Sequence, residues 1–136
     1  MGTTRNLITG GAGFLGSNLA KRLLNAGEEV ICLDNCSTGK ENNIEEFTVS
    51  NKFTFLKQDV IEPVNLEIDK IWHLACPASP KNYQKDPIRT LRTSFLGSYN
   101  MLELAKKNGS KILLASTSEI YGDPKIHPQP ESYFGN

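Results

Sequence analysis

Between a short apolar run, Leu7-Ile8, and a stretch of helical periodicity lies Thr9-Gly10-Gly11-Ala12-Gly13-Phe14-Leu15-Gly16, which sets Gly10, Gly13 and Gly16 at a GxxGxxG spacing. The pattern predicts a tight strand-to-helix turn. The first glycine permits the turn, the second lets backbone N–H groups approach a pyrophosphate, and the third allows helix and sheet to pack closely. The helix N-terminus then directs its dipole and unpaired donors at the phosphates. Asp34 closes the next apolar run, Val30-Ile31-Cys32-Leu33, about 20 residues further on. A carboxylate there accepts hydrogen bonds from adenosine ribose hydroxyls and repels a 2′-phosphate, which favours NAD over NADP.

The rest of the chain alternates in the same way. Phe14, Leu15, Leu19, Leu23 and Leu24 recur at helical spacing until Asn25-Ala26-Gly27 supplies a stop. After a polar stretch, Ile44 to Phe47 is a short amphipathic piece, and Phe53-Thr54-Phe55-Leu56 predicts a third strand ending near Asp59. At that position a carboxylate either accepts from an adenine amino group or serves as a solvated strand end or helix cap. Lys70 to Ala75 predicts a fourth strand in which His73 reads as a hydrogen-bonded core histidine, and the small residues of Leu74-Ala75-Cys76 suit close passage over a ribose. Asp86-Pro87 is an N-cap followed by the residue best tolerated at the first helical position. It opens a long helix on which Leu91, Phe95, Tyr99 and Leu102 line one face until Asn108-Gly109 stops it. Lys111 to Ala115 predicts a fifth, buried strand whose end delivers Ser116-Thr117-Ser118-Glu119, a hydroxyl and a carboxylate, to the sheet edge where ligands of α/β proteins bind. Asp123-Pro124 through Pro130 reads as loop. Such alternation implies right-handed βαβ units, hence an α/β, Rossmann-type doubly wound parallel sheet of about five strands.

With 136 residues the chain has the length of one domain. Lys plus Arg equals Asp plus Glu, 15 each, so no charge footprint for nucleic acid or an anionic membrane exists and a small ligand is expected. Cys32, Cys36 and Cys76 form no CxxC pair and read as reduced cysteines of a cytosolic protein. No apolar run approaches the roughly 18 to 20 residues of a membrane span, and Met1 to Arg5 carries no charged leader, so a cytoplasmic location is expected.

With these elements placed, the chain resembles the extended short-chain dehydrogenase/reductase family of NAD-dependent nucleotide-sugar epimerases and dehydratases, and within it the UDP-glucuronate decarboxylases. The narrower resemblance rests on Asp34 through Gly39, His73-Leu74-Ala75-Cys76-Pro77-Ala78-Ser79-Pro80, Asn82-Tyr83, and Leu114 through Gly122 followed by Asp123-Pro124. Ser118 stands where 4,6-dehydratases usually carry Asp, and epimerases usually lack a carboxylate at the position of Glu119. The resemblance implies bound NAD, UDP-glucuronate as substrate, and oxidation at C4 of the sugar. The ketone so formed lies β to the carboxylate, so CO2 leaves without a metal, and re-reduction gives UDP-xylose. It also implies a homodimer for the complete enzyme.

Residue by residue, it implies that Gly10, Gly13, Phe14, Leu15 and Gly16 serve the pyrophosphate turn, Asp34, Asn35, Ser37, Thr38 and Gly39 the adenosine end, and Asp59 and Val60 the adenine. Leu74, Cys76 and Thr93 would lie along the cofactor. Arg92 and Asn100, otherwise ordinary helix residues, would face the UDP-sugar. Thr117 would hydrogen-bond near the C4 hydroxyl, and Glu119 would position the ring or assist proton transfer. The family's base, a Tyr in a helical Tyr-x-x-x-Lys pair, has no counterpart: Tyr121 and Lys125 have the spacing, but Asp123-Pro124 breaks any helix joining them. Residues 1–136 are therefore expected to form a truncated NAD-binding domain, inactive alone. The alternatives are a catalytically silent NAD-binding module or a related dehydratase or epimerase.

Overall fold

The structure is a computed structural model and describes residues 2–136; Met1, where the reading of the N-terminus begins, lies outside them. Five parallel strands, β1 (Arg5–Thr9), β2 (Glu29–Leu33), β3 (Phe53–Leu56), β4 (Lys70–His73) and β5 (Lys111–Leu114), form one sheet in the order β3-β2-β1-β4-β5. Leu7 of the central strand lies opposite Ile31 on one side and Ile71 on the other. Strands flanked on both sides must bury both faces, and their side chains alternate between them. Leu7, Ile31, Leu33 and Ile71 pack with Met101 and Leu104 of a long helix, whereas Ile8, Val30 and Cys32 pack with Ala20 and Leu23 of the first helix and with Ile44 and Phe47. The result is the expected doubly wound sheet.

Helix α1 (Phe14–Asn25) begins at Gly13 with no side chain capping it and no acidic residue in its first turn. Its buried face is Gly16, Ser17, Ala20 and Leu23, while Phe14 and Leu15, included in the apolar periodicity, are 80% and 66% exposed. A four-residue helix, α2 (Pro80–Tyr83), was not expected from the sequence. It precedes α3 (Pro87–Asn108), where the Asp86 carboxylate accepts from the Arg89 N–H at 2.9 Å as foreseen, and Gly109 ends the helix at φ 67°.

Leu91, Phe95, Tyr99 and Leu102 do share one face of α3, and it is exposed; the buried face is Thr93, Gly97, Met101, Leu104 and Ala105. Small residues let the helix approach the sheet, so its core face is the less hydropathic one. Two readings are corrected. β5 is an edge strand rather than a buried one, with Leu113 and Leu114 half exposed and β4 its one neighbour among the described residues. β4 stops at His73: the Leu74 N–H is shared between the Thr9 carbonyl and hydroxyl, and the Ala75 N–H turns to the hydroxyl alone.

Candidate functional site

From β1 the chain winds outward to β2 and β3 on one side, then crosses to β4 and β5 on the other. The strand ends beside β1 therefore diverge, and the crevice that opens there is the usual ligand position of such sheets. A cleft occupies this point, floored by Gly10 and Gly13 and walled by Asp34 to Gly39 on one side and Leu74 to Pro77 on the other. Gln58, Asp59, Val60, Arg89 and Thr93 close it.

The glycine turn is fixed from both sides. Gly10, at φ 72°, donates to the Leu33 carbonyl at 2.8 Å, and a Cβ there would come within 3.2 Å of the Leu74–Ala75 backbone. A Cβ on Gly16 would overlap the Gly10 carbonyl and lie 2.8 Å from the Gly11 Cα. The uncapped first turn of α1 thus sits beside the cleft floor with donors unopposed by any carboxylate of its own.

Asp34 ties this turn to the β2 end. One carboxylate oxygen accepts from the Ala12 N–H at 3.0 Å and the other from the Cys36 N–H at 2.8 Å. Each oxygen keeps acceptor capacity for a hydroxyl in the cleft. Gly39 closes over this contact: a Cβ there would be 2.9 Å from the Ala12 carbonyl carbon and 3.1 Å from an Asp34 oxygen. The loop is tight enough to hold Cys36 at φ 57°. Burial first, and the charge of Asp34 next, raise the Cys36 thiol above its usual range.

On the opposite wall the Thr9 hydroxyl accepts from the Leu74 and Ala75 N–H groups at 3.1 and 3.2 Å and lies 2.7 Å from His73 Nδ1. With its oxygen so used, the hydroxyl donates to Nδ1, which leaves the ring proton on Nε2, directed at Ser98 Oγ 3.3 Å away. Burial holds the imidazole below its ordinary pKa of 6.5. His73, only 3% exposed, is a neutral core histidine that fastens α3 to the cleft wall, as the sequence suggested.

Of the residues expected to serve the cofactor, Gly10, Gly13, Asp34, Asn35, Ser37, Thr38, Gly39, Asp59, Val60, Leu74, Cys76 and Thr93 all line this cleft. Gly16 lies beneath its floor, and Phe14 and Leu15 are exposed at the start of α1. Ala75 lines it too, in keeping with the reading of Leu74-Ala75-Cys76, while Leu33, Gln58, Pro77 and Arg89 line it and were not anticipated. Thr117 and Glu119 do not line it. They stand past the end of β5, where Thr117 caps a single 3-10 turn (Ser118–Tyr121) and both are exposed. Arg92 is exposed on α3. Asn100 has a scaffold role in this structure: its amide donates to the Val60 and Ile61 carbonyls at 3.1 and 2.9 Å, pinning the loop after β3. Tyr121 ends the 3-10 turn and Lys125 lies beyond it, so no helix joins them, and the Tyr121 ring stacks on Tyr133 at 5.8 Å.

Fold and cleft together define a Rossmann-type domain with an open cleft at the switch point. The chain belongs to the GDP-mannose 4,6 dehydratase family, whose profile matches residues 7–134. It is 53% identical over 133 residues to UDP-glucuronic acid decarboxylase 5 of Arabidopsis thaliana, covering 97% of this chain and 39% of that protein. It is 52% identical over 132 residues to UDP-glucuronic acid decarboxylase 1 of Xenopus tropicalis, covering 97% and 31%. The chain thus spans less than two fifths of these relatives' length. Among solved structures, an epimerase from Methanothermobacter thermautotrophicus superposes with a TM-score of 0.86 at 32% identity, over 96% of this chain and 40% of that one. A Thermus thermophilus UDP-glucose 4-epimerase in complex with NAD gives 0.79 at 32% identity, over 98% and 44%. No helix among the described residues is long and apolar enough to cross a membrane.

Proposed function

We propose that this chain is the NAD-holding part of a UDP-glucuronate decarboxylase and contributes one edge of the sugar site. The observation that carries the reading is Asp34, a carboxylate facing the glycine turn across the switch-point cleft with free acceptor capacity on both oxygens. The residues fit the cofactor: a backbone cradle that a Cβ at Gly10 would crowd, unpaired donors at Phe14 and Leu15 for a pyrophosphate just past Gly13, whose own N–H donates to the Gly10 carbonyl, and polar groups at Asn35, Ser37 and Thr38 for the adenosine. Gly39, Asp59 and Val60 would enclose the adenine end, and Leu74, Cys76 and Thr93 the path towards the nicotinamide. When bound, NAD+ supplies a hydride acceptor for the sugar C4. Thr117 would hold the C4 hydroxyl, Glu119 would orient the ring, and Arg92 would face the UDP-sugar, all from exposed positions.

Identity of about half to proteins named UDP-glucuronic acid decarboxylase supports the reaction, and Ser118, which cannot protonate a leaving hydroxyl as an Asp could, speaks against the dehydratase. The base is proposed to lie outside these 136 residues, so that the chain alone does not turn over. The exposed face of Leu91, Phe95, Tyr99 and Leu102 suits the homodimer expected of the complete enzyme. Two measurements test the proposal. Fluorescence titration should show NADH binding at least about 100-fold tighter than NADPH, and equal affinities would refute the role of Asp34. The protein extended to its relatives' length should release CO2 from carboxyl-labelled UDP-glucuronate; a 4-keto-6-deoxy sugar formed from a UDP-hexose instead would establish the dehydratase.

A further inference from the structure

Arg89 enters the cleft from the first turn of α3, held there because Asp86 caps the helix on the Arg89 N–H. Among the described residues that line the cleft it is the one cation, set against the carboxylates Asp34 and Asp59. Its Nη2 lies 3.3 Å from Asp59 Oδ2, which also accepts from Asn35 Nδ2 at 2.7 Å. The orientation of Asn35 is fixed independently, since its carbonyl oxygen accepts from the Ser37 N–H at 2.9 Å. Asp59 Oδ1 accepts from the Ile61 N–H at 3.2 Å. A carboxylate offers about four acceptor positions. Three are taken, and the remaining one is on Oδ1. Gln58, the nearest neutral competitor on this wall, turns its amide to the Glu62 carbonyl instead.

We propose that Arg89 is a positioning residue for base recognition: with Asn35 it holds the Asp59 carboxylate so that one acceptor faces the base, making the cleft select a 6-aminopurine over a 6-oxopurine. An amino group donates to that acceptor. A carbonyl in its place sets two acceptors against each other and loses the bond. Without the guanidinium, Oδ2 keeps a single donor and the largely buried carboxylate loses its compensating charge, so it turns towards water and the acceptor is no longer aimed. The contact is made by one nitrogen only, so a lysine can replace it. The inference rests on the reading of the cleft as a NAD site.

The test is calorimetric titration of the full chain, freed of nucleotide, with NAD and with nicotinamide hypoxanthine dinucleotide, for the parent, Arg89→Met and Arg89→Lys. The parent should prefer NAD by roughly tenfold or more. Arg89→Met should lower that ratio at least about threefold, and Arg89→Lys should retain most of it. Arg89 is half exposed and outside both core clusters, so the variants should fold, which circular dichroism checks; the lysine variant carries the test should the methionine variant not fold. Equal binding of both dinucleotides by the parent overturns the inference and leaves the NAD reading standing. So does an Arg89→Met variant that weakens both equally, because the residue is then only a bulk charge. Failure of the parent to bind either dinucleotide overturns the NAD reading itself.

Discussion

Asp34 and Thr117 each stand just past the C-terminal end of a parallel strand, yet they are held very differently. Asp34 is anchored by two backbone N–H groups, roofed by Gly39 and backed by a strand buried from Val30 to Leu33. Thr117 accepts one long bond, 3.4 Å, from the Glu119 N–H, on an exposed turn after a half-exposed edge strand. The proposed nucleotide half of the edge is shaped by contacts within the chain, whereas the proposed sugar half presents its groups on an exposed surface. A site needs its groups locked by their own surroundings before they can orient a ligand. By that measure one half is organised and the other is displayed.

If the contrast is right, the largest effect comes from the organised half. Gly16→Val drives a side chain into the Gly10–Gly11 backbone and should cost about 3 kcal/mol of unfolding free energy by denaturant titration. A loss below 0.5 kcal/mol, the scale of ordinary surface changes, would show the turn to be pliant.

Next comes the buried histidine. The unfolded chain protonates His73 near the ordinary 6.5 while the folded protein resists until lower pH, so the unfolded state binds more protons and stability falls as pH drops below about 6.5. His73→Gln should be less stable than the parent by about 1 kcal/mol at neutral pH and should flatten that acid limb, read from thermal unfolding at several pH values. An unchanged limb would assign it to other groups.

The smallest effects belong to the displayed half. Thr117→Val and Glu119→Gln should each leave stability within about 0.5 kcal/mol and NAD affinity within about twofold, while abolishing turnover in the extended protein. A tenfold loss of NAD affinity in either would place that residue in the organised half.

Much of the organised half was legible in the sequence, because a turn that needs Gly10 at positive φ and a helix that needs Gly16 against a carbonyl leave fixed residue types at fixed intervals. The Asp86-Pro87 cap and the continuous run of β2 were readable for the same reason: local geometry restricts them. The faces of the helices were not. Phe95 and Tyr99 stand out as an apolar stripe, but the core face of α3 is set by Gly97 and Ala105, which carry little apolar signal. Arg89 and Gln58 were missed because their place at the cleft depends on how α3 and the loop after β3 pack across the sheet. Asn100 shows the converse, a residue whose resemblance suggested a ligand and whose amide here is committed to two backbone carbonyls.

Cys32 lies directly beneath the glycine turn, its Sγ within 2.6 Å of where a Gly11 Cβ would be, and burial followed by the charge of Asp34 pushes its thiol up to about 12. Thiol reagents act on the thiolate. The sulfur is therefore silent while the turn is seated, and it reacts only during excursions that lift the turn off the sheet. Cys76 is exposed and Cys36 partly so. The slow third phase of a labelling time course consequently serves as an internal clock, counting how often the glycine turn comes apart.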